Sequence, residues 1–303
     1  MQTKHLLIIC GPTAVGKTAL SIELAKYYGT EIISADSRQL YTEMSIGTAK
    51  PTLEEMQGIP HHLVDCLSVQ QNYNAGDYER DVLKTLNELF TRHNLVIMCG
   101  GTGLYIDAVC KGFDEGLESD EAIKQQITEQ YTLLGLNWLQ EQVKELDIDF
   151  YGQADIQNPQ RLMRALEVCK VTGKPYSSFR KNVAVERDFN VIKVFITEER
   201  EILYQRINQR VDKMMQDGLL KEAQTLYAYR YLNALNTVGY KELFGYFDQQ
   251  TSLEKAVELI KQHTRNYAKR QITWFKNDMD CMAFYPSEIE KIIAFTDIIL
   301  QHA

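Results

Sequence analysis

The chain has no apolar run long enough to cross a bilayer. Stretches such as Leu6 to Cys10 and Leu95 to Cys99 end after five residues, where a spanning helix needs about 20. Its six cysteines (Cys10, Cys66, Cys99, Cys110, Cys169, Cys281) contain no C-x-x-C pair. Zinc-ribbon and thioredoxin-type chemistry are therefore excluded, and reduced, mostly buried thiols are expected. Positive charge is in deficit: 33 Lys and Arg stand against 41 Asp and Glu, a formal net charge of −8. Any nucleic-acid partner must then be held by local patches rather than by bulk attraction. Low-complexity tracts and internal repeats are absent, and 45% hydrophobic with 24% charged residues is a globular composition, which excludes disordered and fibrous classes. No signal-peptide pattern opens the chain, so a cytoplasmic location is expected.

What is present reads as an α/β protein. The 303 residues suit one large domain or two ordinary ones. The first hundred residues alternate β-branched runs with amphipathic stretches, the pattern of βαβ units on a mostly parallel sheet flanked by helices. Strands are predicted at His5–Cys10, Glu31–Ala35 and Asn94–Cys99, and ligands gather at the carboxyl ends of such strands. A helix over Asn74–His93 would set Tyr78, Val82, Leu86 and Leu89 on one face to cover the sheet. From about Gly112 the spacing of Ile123, Ile127, Tyr131 and Leu134 turns helical, so an all-helical insertion is expected at 113–189 between core segments 1–112 and 190–303. Within it Asn158-Pro159 opens a helix that stops near Gly173. A strand returns at Asn190–Ile196. The remainder reads as helices, among them Glu199–Gln216 and Ser252–Lys276, the latter with Thr251-x-x-Glu254 as a capping box.

Gly11-Pro12-Thr13-Ala14-Val15-Gly16-Lys17-Thr18 matches G-x-x-x-x-G-K-[ST] between a predicted strand and a predicted helix. Backbone N–H groups of such a loop cradle a polyphosphate, Lys17 reaches the terminal phosphates, and Thr18 is placed to ligate Mg2+. The core is therefore expected to be P-loop NTPase-like. An ordinary NTPase also carries a Walker-B acid, yet Leu95–Cys99 runs into Gly100-Gly101-Thr102-Gly103. Asp36, at the end of the second strand, is either a base or Mg2+ ligand facing the phosphate loop, or a capping carboxylate. Ser37, Arg38 and Gln39 offer a hydroxyl, a guanidinium and an amide suited to a nucleotide or to a surface turn. Arg206, Arg210 and Lys213 fall near one helix face, either as a clamp on leaving phosphates or as a solvated face paired with Glu199 and Glu201. Thr264–Lys276 carries four cations, no acid and three aromatics, read as aromatics inward and cations outward toward RNA. His61-His62 lacks metal-ligand spacing.

Together these motifs resemble the tRNA dimethylallyltransferases, also called tRNA isopentenyltransferases, over nearly the whole chain. The resemblance is carried by Gly11–Thr18, Asp36-Ser37-Arg38-Gln39-Leu40-Tyr41, Ile46–Pro51, Ile59–Asp65, Gly100–Tyr105, Asn158–Arg161, Val238–Glu242 and Arg265–Phe275 in that order. It implies transfer of a dimethylallyl group from dimethylallyl diphosphate to the exocyclic amine of the adenosine 3′ to the anticodon, with release of diphosphate. By the same resemblance Asp36 would be the general base, and Thr102 would bond near the reacting centre. Arg210 would contact the diphosphate beside the P-loop and its Mg2+. Asp36, Ser37, Arg38 and Gln39 would hold the target nucleotide, flipped out of its stack to reach the centre. Gln160, Arg161, Leu162, Met163 and Arg164 on the insertion, with Arg265, Lys269 and Arg270, would grip the anticodon stem-loop. The implied enzyme is a bacterial-type monomer, without the zinc finger of eukaryotic relatives. Two other enzymatic readings share the cradle: an adenylate dimethylallyltransferase using free AMP or ATP, and a P-loop small-molecule kinase. A non-enzymatic RNA-binding module would use the P-loop only as an anion site.

Overall fold

The computed structural model describes residues 3–112, 120–179 and 185–302. Among them six strands form one sheet: β1 (His5–Cys10), β2 (Ile32–Ala35), β3 (His61–His62), β4 (Leu95–Gly100), β5 (Asn190–Ile196) and β6 (Cys281–Phe284). Their order is β3-β2-β4-β1-β5-β6, and every adjacent pair is parallel. The helices are α1 (Lys17–Tyr28), α2 (Leu53–Met56), α3 (Ala75–Leu89), α4 (Gly103–Lys111), α5 (Glu121–Leu146), α6 (Ile148–Gln153), α7 (Pro159–Thr172), α8 (Arg200–Asp217), α9 (Leu219–Leu226), α10 (Tyr240–Phe247), α11 (Leu253–Lys276) and α12 (Ile289–His302).

All six residues of β1 are buried, as expected of a strand covered on both faces. Alternate residues feed two cores. Leu6, Ile8 and Cys10 join Ile33, Val96 and Met98 under α3 and α4, while Leu7 and Ile9 join Ile32, Ile97 and Val194 under α1 and α8. α3 closes the first face because Tyr78, Val82, Leu86 and Leu89 form its buried stripe. Each fully buried aliphatic of that stripe contributes roughly 1.5–3 kcal/mol. Its start is fixed by Asn74, whose side chain accepts from Gly76 N at 2.8 Å and Asp77 N at 3.1 Å. A third cluster packs α9 and α10 against Val211 of α8 and Ala256 and Ile260 of α11.

The chain divides into one compact unit of Met1–Lys111 with Glu186–Ala303 and another of Gly112–Val185. The core resumes at Glu186 rather than at 190 because Arg187 is already anchored in it. That guanidinium donates to Val109 O at 2.9 Å and Ala108 O at 3.0 Å and pairs with Glu79. Residues 113–119 and 180–184, the ends of the expected insertion, lie outside the described residues. The helical unit has its own core of Ile127, Leu139, Val143, Phe150, Leu162 and Leu166. α5 departs from helical geometry at Gly135, φ 78°. The expected stripe thus ends before Leu134, which is 49% exposed.

Two further expectations are corrected. Ser252, not Thr251, caps α11, since its hydroxyl accepts from Lys255 N at 3.2 Å. The sequence predicts helices throughout this remainder, whereas β6 is a short edge strand, paired from Lys193↔Cys281 to Ile196↔Phe284. Four residues are too few to display an alternating pattern.

Candidate active site

β4 lies between β1 and β2, so the turns after all three strands meet at one edge of the sheet. The first turn is the phosphate loop. Gly16, at φ 107°, takes a backbone conformation costly for other residues and caps α1, whose first residue is Lys17. Lys17 Nζ donates to Pro12 O at 2.7 Å, closing the loop on itself. Burial pushes the Lys17 ammonium below its usual pKa, and Arg210 acts in the same direction, while the Cys99 thiol and Asp36 oppose the shift. A half-buried cation at a helix N-terminus is a prepared anion site. Thr18 stands exposed in the first turn of α1.

The second turn carries Asp36. Its Oδ1 accepts from Arg38 N at 2.9 Å and Gln39 N at 3.4 Å, which is the capping use of an aspartate. The residue also lines a cavity of about 500 Å³ with Thr13, Ser37, Arg38 and Arg210. The capping reading of Asp36 therefore holds, and the turn that this oxygen ties sets the residue at the cavity. The third turn supplies Thr102. Its N–H bonds Ala35 O at 3.1 Å and its Oγ1 accepts from Ser37 N at 3.1 Å, pinning the Asp36 turn to β4.

Arg210 reaches across from α8. Its Nη1 donates to Thr13 Oγ1 at 3.3 Å, and burial lowers its pKa from the usual guanidinium value against the pull of Glu55 and Asp36. Arg206 also turns to the phosphate loop, donating to Val15 O at 3.4 Å while pairing with Glu198 at 3.1 Å. Lys213 instead pairs with Asp217 at 3.0 Å. The three cations do not act as one clamp: only Arg210 lines the cavity. Arg38, Lys241 and Arg270 line it too, against Asp36 and Glu242, and Glu242 is already bonded to His263 at 2.6 Å. A protein of net charge −8 thus concentrates cations around one cavity.

Several expected ligand contacts are used internally. The Gln39 amide donates to Thr48 O and Ala49 O, each at 3.2 Å, so it braces the loop after it instead of presenting a free edge. Leu162 is fully buried in the helical unit, because the 3.6-residue period of α7 turns it inward. Gln160 and Arg161 are exposed on that helix, Met163 is half-buried, and Arg164 pairs with Glu167 at 3.0 Å. Arg265 donates to Asn208 Oδ1 at 2.6 Å, whereas Lys269 and Arg270 are exposed. The inward residues of this part of α11 are Ala268, Gln271 and Phe275. Trp274, expected inward, is 42% exposed and donates to Asp107 Oδ2 at 3.1 Å. His62 bonds Glu31 at 2.7 Å and His61 bonds Ile59 O at 2.8 Å. No group of three potential ligands for a metal is found among the described residues.

Three features escaped the sequence reading. Tyr267 lines the cavity; burial, then the nearby Asp36 carboxylate, pushes its phenol up to about 12, with a side-chain hydrogen bond to Thr102 opposing the shift. Gln271 joins the two glycine-rich turns, accepting from Thr13 N at 2.8 Å and donating to Gly101 O at 2.9 Å. A Cβ at Gly101 would fall 2.1 Å from Gln271 Nε2, so any larger residue there pushes the carboxamide out of this bridge. The Glu222 carboxylate gathers Ser45 N (3.1 Å), Ile46 N (2.8 Å), Gly47 N (2.9 Å) and the Tyr240 hydroxyl (2.6 Å). It thereby fixes the 45–49 loop that forms one wall. The available signal was polar residues on apolar stripes: Gln271 between Ala268 and Phe275, Glu222 beside Leu219 and Ala223.

The sequence profile of the IPP transferase family matches residues 39–278. A tRNA dimethylallyltransferase of Flavobacterium johnsoniae is 48% identical over 299 residues, covering 96% of this chain and 97% of that one. A tRNA dimethylallyltransferase 1 of Bacteroides fragilis is 45% identical, covering 97% and 98%. Among solved structures, the full-length tRNA isopentenylpyrophosphate transferase of Bacillus halodurans superposes with a TM-score of 0.74 at 36% identity over 99% of this chain and 97% of that one. A eukaryotic dimethylallyltransferase acting on tRNA gives 0.76 at 27% identity over 93% and 74%.

Proposed function

This chain belongs to the IPP transferase family, and from that premise we propose that it is a tRNA dimethylallyltransferase. Its substrates are dimethylallyl diphosphate and the adenosine 3′-adjacent to the anticodon of tRNA. The observation that carries the reading is the single cavity lined by Asp36, phosphate-loop Thr13 and Arg210, which sets a proton acceptor beside an anion cradle.

The adenine exocyclic amine attacks the allylic carbon, the carbon–oxygen bond to diphosphate breaks, and the amine proton passes to Asp36. An amine conjugated into a purine is a weak nucleophile, so removal of its proton during attack lowers the barrier. The phosphate-loop N–H groups, Lys17 and Arg210 neutralise the departing diphosphate, the largest charge that develops. Thr102 keeps Asp36 in place through its bond to Ser37 N. The Thr18 hydroxyl is a hard oxygen donor of the kind Mg2+ accepts, and it would hold that ion at the phosphate loop. When bound, Mg2+ supplies further neutralisation of the leaving group. Ser37 and Arg38 contact the extruded nucleotide, while Gln160, Arg161, Arg164, Lys269 and Arg270 contact the stem-loop phosphates. The enzyme acts as a cytoplasmic monomer; no described helix is long and apolar enough to cross a membrane.

The test is a product assay with labelled dimethylallyl diphosphate, Mg2+ and either unmodified tRNA or AMP. Label is expected in tRNA, at the adenosine 3′ to the anticodon. Equal or exclusive labelling of AMP overturns the substrate assignment, and no transfer to either overturns the reaction. In single-turnover experiments Asp36→Ala should lose the chemical step while retaining tRNA binding; a normal rate in that variant removes Asp36 as the base.

A further inference from the structure

We propose that Tyr227, Arg230 and Tyr231 form a stacking platform for an unpaired anticodon-loop nucleotide that adjoins the extruded adenosine, an inference that rests on the proposed function above. The Arg230 guanidinium lies over both rings, 4.3 Å from the Tyr227 centroid and 4.4 Å from that of Tyr231. It is fixed there by hydrogen bonds to Tyr227 O at 3.1 Å and the Tyr231 hydroxyl at 2.8 Å. Tyr227 is anchored in turn by edge contacts with Phe244 and Phe247 and by a hydrogen bond to Asp248. The stack therefore begins in the third core and ends on Tyr231, which is 83% exposed.

Arg230 thus holds the Tyr231 ring at the surface, where a second flat group can pack on it. Its place in the fold says what. Two residues further on, Asn233 O accepts from Arg38 Nη1 at 3.2 Å, and Arg38, Asn236 and Thr237 line the cavity. Tyr231 and Asn233 have Cα atoms within about 7 Å of each other, the reach of two extended residues. A nucleotide seated beside Arg38 would thus have its neighbour at the Tyr231 ring. Extruding one base strips that neighbour of a stacking partner, and an aromatic face backed by a guanidinium replaces it without regard to base identity. The cation adds attraction for the phosphate between the two nucleotides.

Tyr231 is exposed enough to be replaced without disturbing a core, so the test uses the full-length enzyme and an anticodon stem-loop RNA. The Kd of Tyr231→Ala for this RNA is expected to rise about 5- to 150-fold, the range of one lost base–aromatic stack, with the rate at saturating RNA little changed. Tyr231→Phe, which keeps the ring but not the hydroxyl that Arg230 bonds, should recover most of the affinity. Abasic substitution is then scanned through the loop. At one position next to the target adenosine, removing the base should weaken wild type but not Tyr231→Ala, because both changes break the same stack. The platform is overturned if the wild-type enzyme prenylates the stem-loop while Tyr231→Ala binds within twofold of it, or if abasic and alanine effects multiply at every position. A wild-type enzyme that fails to prenylate the stem-loop refutes the proposed function instead, so the two failures are told apart.

Discussion

Replacing Gln271 with leucine tests whether one buried carboxamide keeps the phosphate loop and the Thr102 turn in register. The side chain accepts from Thr13 N at 2.8 Å and donates to Gly101 O at 2.9 Å, and the residue is 6% exposed. Leucine has nearly the same volume, so the change opens little cavity but orphans one donor and one acceptor. Each orphan costs about 1–3 kcal/mol; water reaching half-buried Thr13 favours the lower half of the sum, about 2–4 kcal/mol. At about 2 °C per kcal/mol for a chain of this size, Tm should fall by roughly 4–8 °C. Because a displacement of about 1 Å between reacting groups can cost on the order of 100-fold in rate, kcat should fall more than the affinity for tRNA. Gln271→Glu sharpens the test. It keeps the acceptor for Thr13 but turns a carboxylate oxygen toward the Gly101 carbonyl, so burial and that carbonyl raise the pKa of the introduced acid in the folded state. Its destabilisation is then full above that folded pKa and shrinks as pH falls through it, when the protonated acid again donates to Gly101. Calorimetry from pH 8 to pH 5 should show the Gln271→Glu deficit narrowing while that of Gln271→Leu stays constant. Wild-type melting and kcat in the leucine variant, or a pH-independent deficit in the glutamate variant, would refute the reasoning.

Other outcomes follow from single side chains. Since Tyr267 is held up to about 12 by burial and by Asp36, it stays neutral through pH 10, and the rate of the wild-type enzyme should show no break that Tyr267→Phe removes; a break near pH 10 lost in that variant would contradict this. Glu31 is buried, which opposes its ionisation, but hydrogen bonds from His62 and His93 and the charge of Arg92 outweigh this and hold its pKa below the ordinary 4.5. Its stabilisation is therefore present above about pH 4.5 and lost as pH falls through the depressed value. Glu31→Gln should cost about 1–3 kcal/mol at pH 7, a gap that denaturant titrations should find closing below pH 4; an unchanged gap at pH 3 would exclude the linkage. Arg161, exposed on α7, is assigned to a phosphate, so Arg161→Ala should weaken tRNA binding and lower the slope of log Kd against log salt by about one. An unchanged slope would remove that contact.

The amino-acid sequence by itself determined the parts whose physics is local. A strand buried on both faces must be apolar throughout, and His5–Cys10 is so in sequence and in structure. The glycines of the phosphate loop, the Asn74 and Asn158 caps and the stop at Gly173 follow from backbone needs that neighbouring residues alone satisfy. That Asp36 and Thr102 stand at carboxyl ends of strands was equally legible, because each follows its own apolar run. Tertiary structure decided what depends on residues far apart in the chain. Gln271 bonds Thr13 and Gly101, and Glu222 closes a loop some 175 residues away. No short-range period encodes such pairs, because they arise only when β4 inserts between β1 and β2 and α11 crosses their ends. The same distance explains the reassignments. Gln39 looked free until the 45–49 loop returned to take its amide, and Tyr267 looked like core until the fold placed it at the cavity. A side chain's chemistry is set by its sequence, whereas its partners, and hence its role, are set by which strand ends the topology brings together.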